Sequence, residues 1–170
     1  MTYLIDGYNL LYAIGLANRN LPAKGLERAR TRLLDWLADR TKGRDALVRV
    51  VFDAQNSTAP SSEYAHRGVR VRFAFRQTAD ELIEELIHAE PHPNRIAVVS
   101  NDNQVQDAAR HRKCEVLKCE EFVDWLIAKP EPDPGGDAPM DDRPAASPAT
   151  PDEMAAWLEA FSQPKKRPKK

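Results

Sequence analysis

Residues 2–11 read TYLIDGYNLL, an apolar run that stops at a carboxylate, Asp6, followed by a glycine and then, at position 9, by an asparagine. The apolar run predicts a short buried strand. Asp-Gly is ordinary turn chemistry, so Asp6 is either punctuation or part of a site. Asn9 predicts a helix N-cap for LLYAI, which Gly15 then ends.

The same ending recurs along the chain. LVRVVF (47–52) is a β-branched run that reaches Asp53, and IAVVS (96–100) is closed by Asn101-Asp102. VRVRFAF (69–75) alternates strictly. Val69, Val71, Phe73 and Phe75 take one face, Arg70, Arg72 and Ala74 the other, and the run delivers Asp80 at the start of the next segment. Helical patterns separate these runs. GLERARTRLLDWLADRTKG (25–43) places Leu26, Leu33, Trp36 and Leu37 at helical spacing. TADELIEELIHAE (78–90) opens on Thr78 and Glu81 as a capping box. QVQDAARHR (104–112) follows, then a short strand EVL (115–117) and a last helix, CEEFVDWLIA (119–128). Strands separated by helical crossovers imply a mostly parallel sheet covered on both faces, an α/β class.

Composition divides the 170 residues. A domain is expected over 1–128. Residues 129–150, KPEPDPGGDAPMDDRPAASPAT, are too rich in Pro, Gly, Ala and Asp to bury a core and read as a disordered linker. Thr150-Pro151-Asp152-Glu153 then reads as a helix start, and Met154, Trp157, Leu158 and Phe161 form one apolar stripe. The segment 151–170 is therefore expected to be a short amphipathic helix and a basic tail, PKKRPKK.

A formal net charge of −1 argues against a general polyanion-coating protein and leaves local patches to make any nucleic-acid contact. Two cysteines, Cys114 and Cys119, are too few for a disulfide framework and lack the partners of a zinc site. The four histidines show no metal-ligand spacing. No apolar run reaches transmembrane length and the first residues read as a strand, so a cytoplasmic protein is expected. There is no GxGxxG and no GxxxxGK[ST], no second aspartate two positions after Asp6, and no nucleophile elbow.

In open parallel sheets, ligands bind beyond the carboxyl ends of the strands. Neighbouring strands would bring Asp6, Asp53, Asp80 and Asp102 together there. Two carboxylates about 5 Å apart repel by about 3 kcal/mol at an effective dielectric constant of about 20. A hard divalent cation with oxygen ligands, Mg²⁺ or Mn²⁺, is the usual relief, and Asn9 adds a neutral group in the same loop as Asp6. Taken singly, each aspartate is as well read as a turn or cap residue, and Asp80 as one acid of a solvated face with Glu81, Glu84 and Glu85.

IDGYNLL, VVFDAQ, TADELIEELI and AVVSNDNQVQ, in this order, resemble the NYN-domain proteins of the PIN-like nuclease superfamily, and among them the bacterial YacP-like group. The resemblance covers residues 1–128. It implies a PIN-like three-layer α/β/α fold and metal-dependent endoribonuclease activity, with association with the ribosome and cleavage of messenger RNA there. Carried over by position, it assigns Asp6 and Asn9 to the family's D-G-x-N, Asp53 to the acid after the second strand, Asp80 to the central T-A-D acid, and Asp102 to the S-x-D acid. Asp6, Asp80 and Asp102 are the expected metal ligands, with Asn9 and Asp53 ordering water or the loop. Asp107 is a weaker candidate, because its spacing from Asp102 points it elsewhere.

RNA must still be drawn to an acidic site. HRGVRVRFAFRQ offers Arg67, Arg70, Arg72 and Arg76, and the tail offers Lys165, Lys166 and Arg167, as phosphate contacts. The arginine strand reads equally as a charged edge that blocks sheet extension, and the tail also as a solubilising end. Tyr8 is either a base-stacking ring or core. The alternatives to a nuclease are a non-catalytic RNA- or ribosome-binding module and, less well supported, a metal-dependent phosphatase.

Overall fold

The structure is a computed structural model that describes residues 1–18, 20–53 and 63–128. The expected linker (129–150) and the helix and tail (151–170) lie outside the described residues.

The described chain runs β1 (Thr2–Asp6), α1 (Gly7–Ala13), α2 (Ala23–Thr41), β2 (Leu47–Asp53), β3 (Tyr64–His66), β4 (Val69–Ala74), α3 (Ala79–Ala89), a single 3₁₀ turn (Pro93–Arg95), β5 (Ile96–Val99), α4 (Asn103–His111), β6 (Glu115–Leu117) and α5 (Cys119–Ile127). The strands form one sheet in the order β3-β4-β2-β1-β5-β6, parallel throughout except for β3. The α/β class and the mostly parallel sheet are those read from the sequence.

Strand alternation sorts the core into two layers. Tyr3, Ile5, Val50, Phe52, Val71 and Val99 face one side with the buried residues of α1, α2 and α5, including Leu33, Trp36, Leu37 and Phe122. Leu4, Val51, Ala74 and Val98 face the other with Leu82, Ile83 and Ile87 of α3 and Val105 and Ala109 of α4. Full burial of each such aliphatic or aromatic side chain stabilises the fold by about 1.5–3 kcal/mol. The result is three layers, helices on both faces of the sheet.

Three local readings are corrected. Asn9 does not cap α1; Asp6 does, and the helix begins directly after the strand at Gly7. The reason is packing. A Cβ at Gly7 would collide with the Phe52 ring, so glycine alone lets the chain turn from strand into helix this close to β2. The arginine-bearing strand is not an edge, because Tyr64–His66 pairs antiparallel to it through a tight turn at Arg67 (φ 49°) and Gly68 (φ 94°). It also ends at Ala74 rather than Phe75.

Candidate active site

β1 and β2 end side by side, and Asp6 and Asp53 close them. Asp102 follows β5, the other neighbour of β1, and caps α4. Asp80 lies in the first turn of α3, which the Thr78–Glu81 capping box starts as expected. The carboxylates therefore come from three strand ends and one helix start at the same end of the sheet.

Asp6 is only 3% exposed. Its Oδ1 accepts the Asn9 backbone N–H at 3.1 Å and its Oδ2 accepts Asn9 Nδ2 at 2.6 Å. Burial raises the Asp6 pKa, the hydrogen bonds from Asn9 and from the Tyr8 backbone oppose that rise, and the Asp102 charge adds to it. Asp102 Oδ1 accepts the N–H groups of Gln104 (2.8 Å) and Val105 (3.3 Å), while its own N–H donates to Ser100 Oγ at 3.0 Å.

Asp80 is perturbed as well. Its pKa is pushed up to about 6, first by burial and then by the charges of Asp6, Asp102, Glu84 and Asp53. Asp80 thus feels the charge of all three other expected aspartates, and of Glu84 as well. Read in the sequence as solvated face, Glu84 is partly buried and accepts from Gln104 Nε2 at 3.4 Å. Its position one helical turn beyond Asp80 was the available signal.

Sequence reading also missed the support beneath Asp102. Gln106, 5% exposed, donates from Nε2 to the Ser100 carbonyl at 2.8 Å and accepts from Arg110 Nη2 at 2.9 Å. A buried glutamine on a helix face otherwise lined by Val105 and Ala109 is the trace it leaves in the sequence. Asp107 points away, exposed and paired with Arg110 at 2.9 Å. Tyr8 is core: it is buried, packs edge-on against Phe52 with centroids 5.4 Å apart, and its hydroxyl accepts from Arg30 Nη1 at 2.8 Å.

The expected RNA contacts differ in their surroundings. Arg67 reaches back to α2, at 2.7 Å from Asp39 and 3.4 Å from Asp35. Arg70 lies 3.5 Å from Glu63, which also takes Arg49 at 2.6 Å. Arg76, exposed and at φ 58°, covers the Phe75 ring with its guanidinium 5.1 Å from the centroid. Arg72 is partly buried and makes no hydrogen bond or ion pair with any described residue. Lys165, Lys166 and Arg167 lie outside the described residues.

The donor set, oxygen only and acidic, suits a hard cation. Among the described residues, no three carboxylate, imidazole or thiol groups stand close enough to hold a metal ion by themselves. Mg²⁺ does not require such a cage, being held typically by one or two carboxylates with water and substrate phosphate completing its shell. No helix among the described residues is long and apolar enough to cross a membrane.

Comparison with known proteins agrees with this fold. Two crystal structures, of Rae1 (YacP) from Bacillus subtilis and of a tryptophan-to-leucine mutant of it, superpose with a TM-score of 0.58 at 28% identity. Each match covers 74% of this chain, and 73% and 74% of the Rae1 chains respectively. These matches bear out the PIN-like fold expected from the resemblance. A search of curated proteins gave no match. The family described as YacP-like NYN domain matches residues 3–131, nearly the whole of the described domain. This chain belongs to the YacP-like NYN-domain family, a nuclease type of domain.

Proposed function

We propose that the chain is a metal-dependent endoribonuclease that uses Mg²⁺ or Mn²⁺ to hydrolyse RNA phosphodiester bonds, acting on messenger RNA in association with the ribosome in the cytoplasm. One observation carries the reading. Asp80, at a helix start, has its pKa pushed to about 6 by burial together with carboxylates that arrive from separate strand ends. A marginally stable fold gains nothing in packing from such repulsion. A bound cation would remove it.

Asp6, Asp80 and Asp102 are the residues that would hold the ion, directly or through water. When bound, such an ion makes water a better nucleophile at neutral pH and offsets negative charge on phosphate oxygens. The chain's own groups do the positioning. Asn9 fixes both oxygens of Asp6. The N-terminal N–H groups of α4 hold Asp102 by one oxygen, Oδ1, and leave Oδ2 free of hydrogen bonds among the described residues. Asp53 adds negative charge beside Asp80 from the end of β2. Arg72 and Arg76 serve as candidate backbone-phosphate contacts, and Lys165, Lys166 and Arg167 add positive charge near the C-terminal end of the sequence.

The test is cleavage of RNA by the full chain with Mg²⁺ or Mn²⁺, compared with Asp80→Asn. Loss of cleavage in the variant, with folding retained, is expected. Equal cleavage by both proteins removes Asp80 from the site. Messenger RNA and the ribosome rest on the YacP-like resemblance and are tested by co-sedimentation with ribosomes.

A further inference from the structure

Four arginines occupy the β3–β4 hairpin and the loop behind it, and three of them have visible partners. Arg67 is engaged by Asp35 and Asp39, Arg70 by Glu63, and Arg76 by the Phe75 ring. Arg72 has neither acid, carbonyl nor ring among the described residues, although it is partly buried. A guanidinium withdrawn from water without an acceptor is unfavourable, and an anion on its fork of donors reverses that.

Its place in the sheet says which anion. Asp6 pairs with Val51, and Val51 pairs with Arg72, all in parallel register. Register-paired residues point to the same face, so Arg72 and Asp6 stand in one row on the face packed by α3, separated by one valine. Neighbouring strands are about 4.8 Å apart, which puts the two backbones about 10 Å from each other, too far for a direct ion pair without bending of both side chains. The next row toward the strand ends pairs Asp53 with Ala74. Arg70 belongs to the row behind, level with Leu4 and Arg49, where Glu63 neutralises it. Of the charges on β4, Arg72 alone is both level with the acids and without a partner among the described residues.

We propose that Arg72 is a phosphate-anchoring residue, binding one backbone phosphodiester of the substrate strand beside the acidic site, and that Arg70, one row back, carries no part of that contact. The inference deepens the nuclease reading and rests on it for the nature of the anion. The guanidinium accommodates two phosphate oxygens at once and is indifferent to the base, so the anchor sets position along the strand rather than sequence.

The experiment measures binding of a short fluorescein-labelled single-stranded RNA of mixed sequence to the full-length chain by anisotropy over a salt series. All variants carry Asp80→Asn, and binding is read on the time-zero anisotropy with the RNA checked for integrity on a denaturing gel. Arg72→Gln is expected to weaken binding about tenfold and to lower the salt slope by about 0.7, the share of one phosphate contact on a single strand. Arg72→Lys keeps the charge, and so restores the slope while recovering only part of the affinity. Arg70→Gln, the same charge change one row away, leaves both unchanged. Equal losses in Arg70→Gln and Arg72→Gln, or no loss in Arg72→Gln with its melting temperature intact, overturn the proposal. Cleavage by the Asp80→Asn single variant is read separately. If it persists, the assignment of Asp80 falls while the binding data still decide on Arg72.

Discussion

Asn9 grips Asp6 at both ends of its carboxylate, with the backbone N–H on Oδ1 at 3.1 Å and the side-chain amide on Oδ2 at 2.6 Å. A nearly buried charge is thereby kept ionisable and fixed in direction at the head of α1. Asn9→Ala removes the amide donor, at a cost of about 1.5–3 kcal/mol for a hydrogen bond to a charged group. The Asp6 pKa rises further as that bond goes. The acid limb of the cleavage pH profile should therefore move to higher pH, which a pH series on wild type and variant would reveal.

Asp6→Asn separates capping from charge. Asparagine caps helices as well as aspartate does, and the change removes a buried negative group. Thermal unfolding should show unchanged or raised stability. Cleavage should fall by about 10²–10³-fold. A destabilised variant would mean that the carboxylate is needed for the fold itself.

Asp80 makes stability depend on pH in a definite direction. Its folded pKa of about 6 lies above the ordinary value of 3.8, so between these values the folded chain holds more protons than the unfolded one. Its contribution is fully favourable below about pH 4 and is lost as the pH rises through about 6. With screening of this partly solvated group allowed for, the loss is about 1 kcal/mol. Urea midpoints across that window should fall for the wild type and stay flatter for Asp80→Asn. Added Mn²⁺ should raise the wild-type midpoint at pH 7 and leave the variant nearly unmoved.

Gln106→Ala strips the Ser100 carbonyl of its buried donor, destabilising the domain by about 1–3 kcal/mol. Ser100 Oγ accepts the N–H of Asp102, so cleavage should drop more than RNA binding does. Parallel anisotropy and cleavage assays would separate the two effects.

Gly7→Ala should destabilise by about 1–3 kcal/mol through overpacking against Phe52. A differential scan gives the answer directly. An unchanged melting temperature would contradict the tight β1–α1 junction.

What the sequence disclosed was what is local or periodic. The Thr78–Glu81 capping box, the run of β5 and the alternation of β4 each depend on residues within one turn or one strand. The gathering of Asp6, Asp53, Asp80 and Asp102 was legible only on the condition that their strands be neighbours, because each acid sits at an element's end while strand order is not written in the sequence. Tyr64–His66 was not, since three residues carry no period and their turn, Arg67-Gly68, lies inside what reads as one basic stretch. The engagement of Arg67 by α2, the capping by Asp6 instead of Asn9, and the hydrogen bond from Gln106 to Ser100 all depend on tertiary proximity. Of the three, only the last leaves a trace in the order of residues, a glutamine on the helix face of Val105 and Ala109.

The wide spacing of the four aspartates along the chain bears on biosynthesis. Asp6 emerges from the translating ribosome long before Asp102, and β5, which precedes Asp102 and pairs with β1, is synthesised after β2, β3 and β4. Parallel pairings of this span form late, because loop closure must precede their reward. An unfinished polypeptide therefore lacks a working centre. On the proposed nuclease reading, the centre gains its last carboxylate, Asp102, only when synthesis has reached α4.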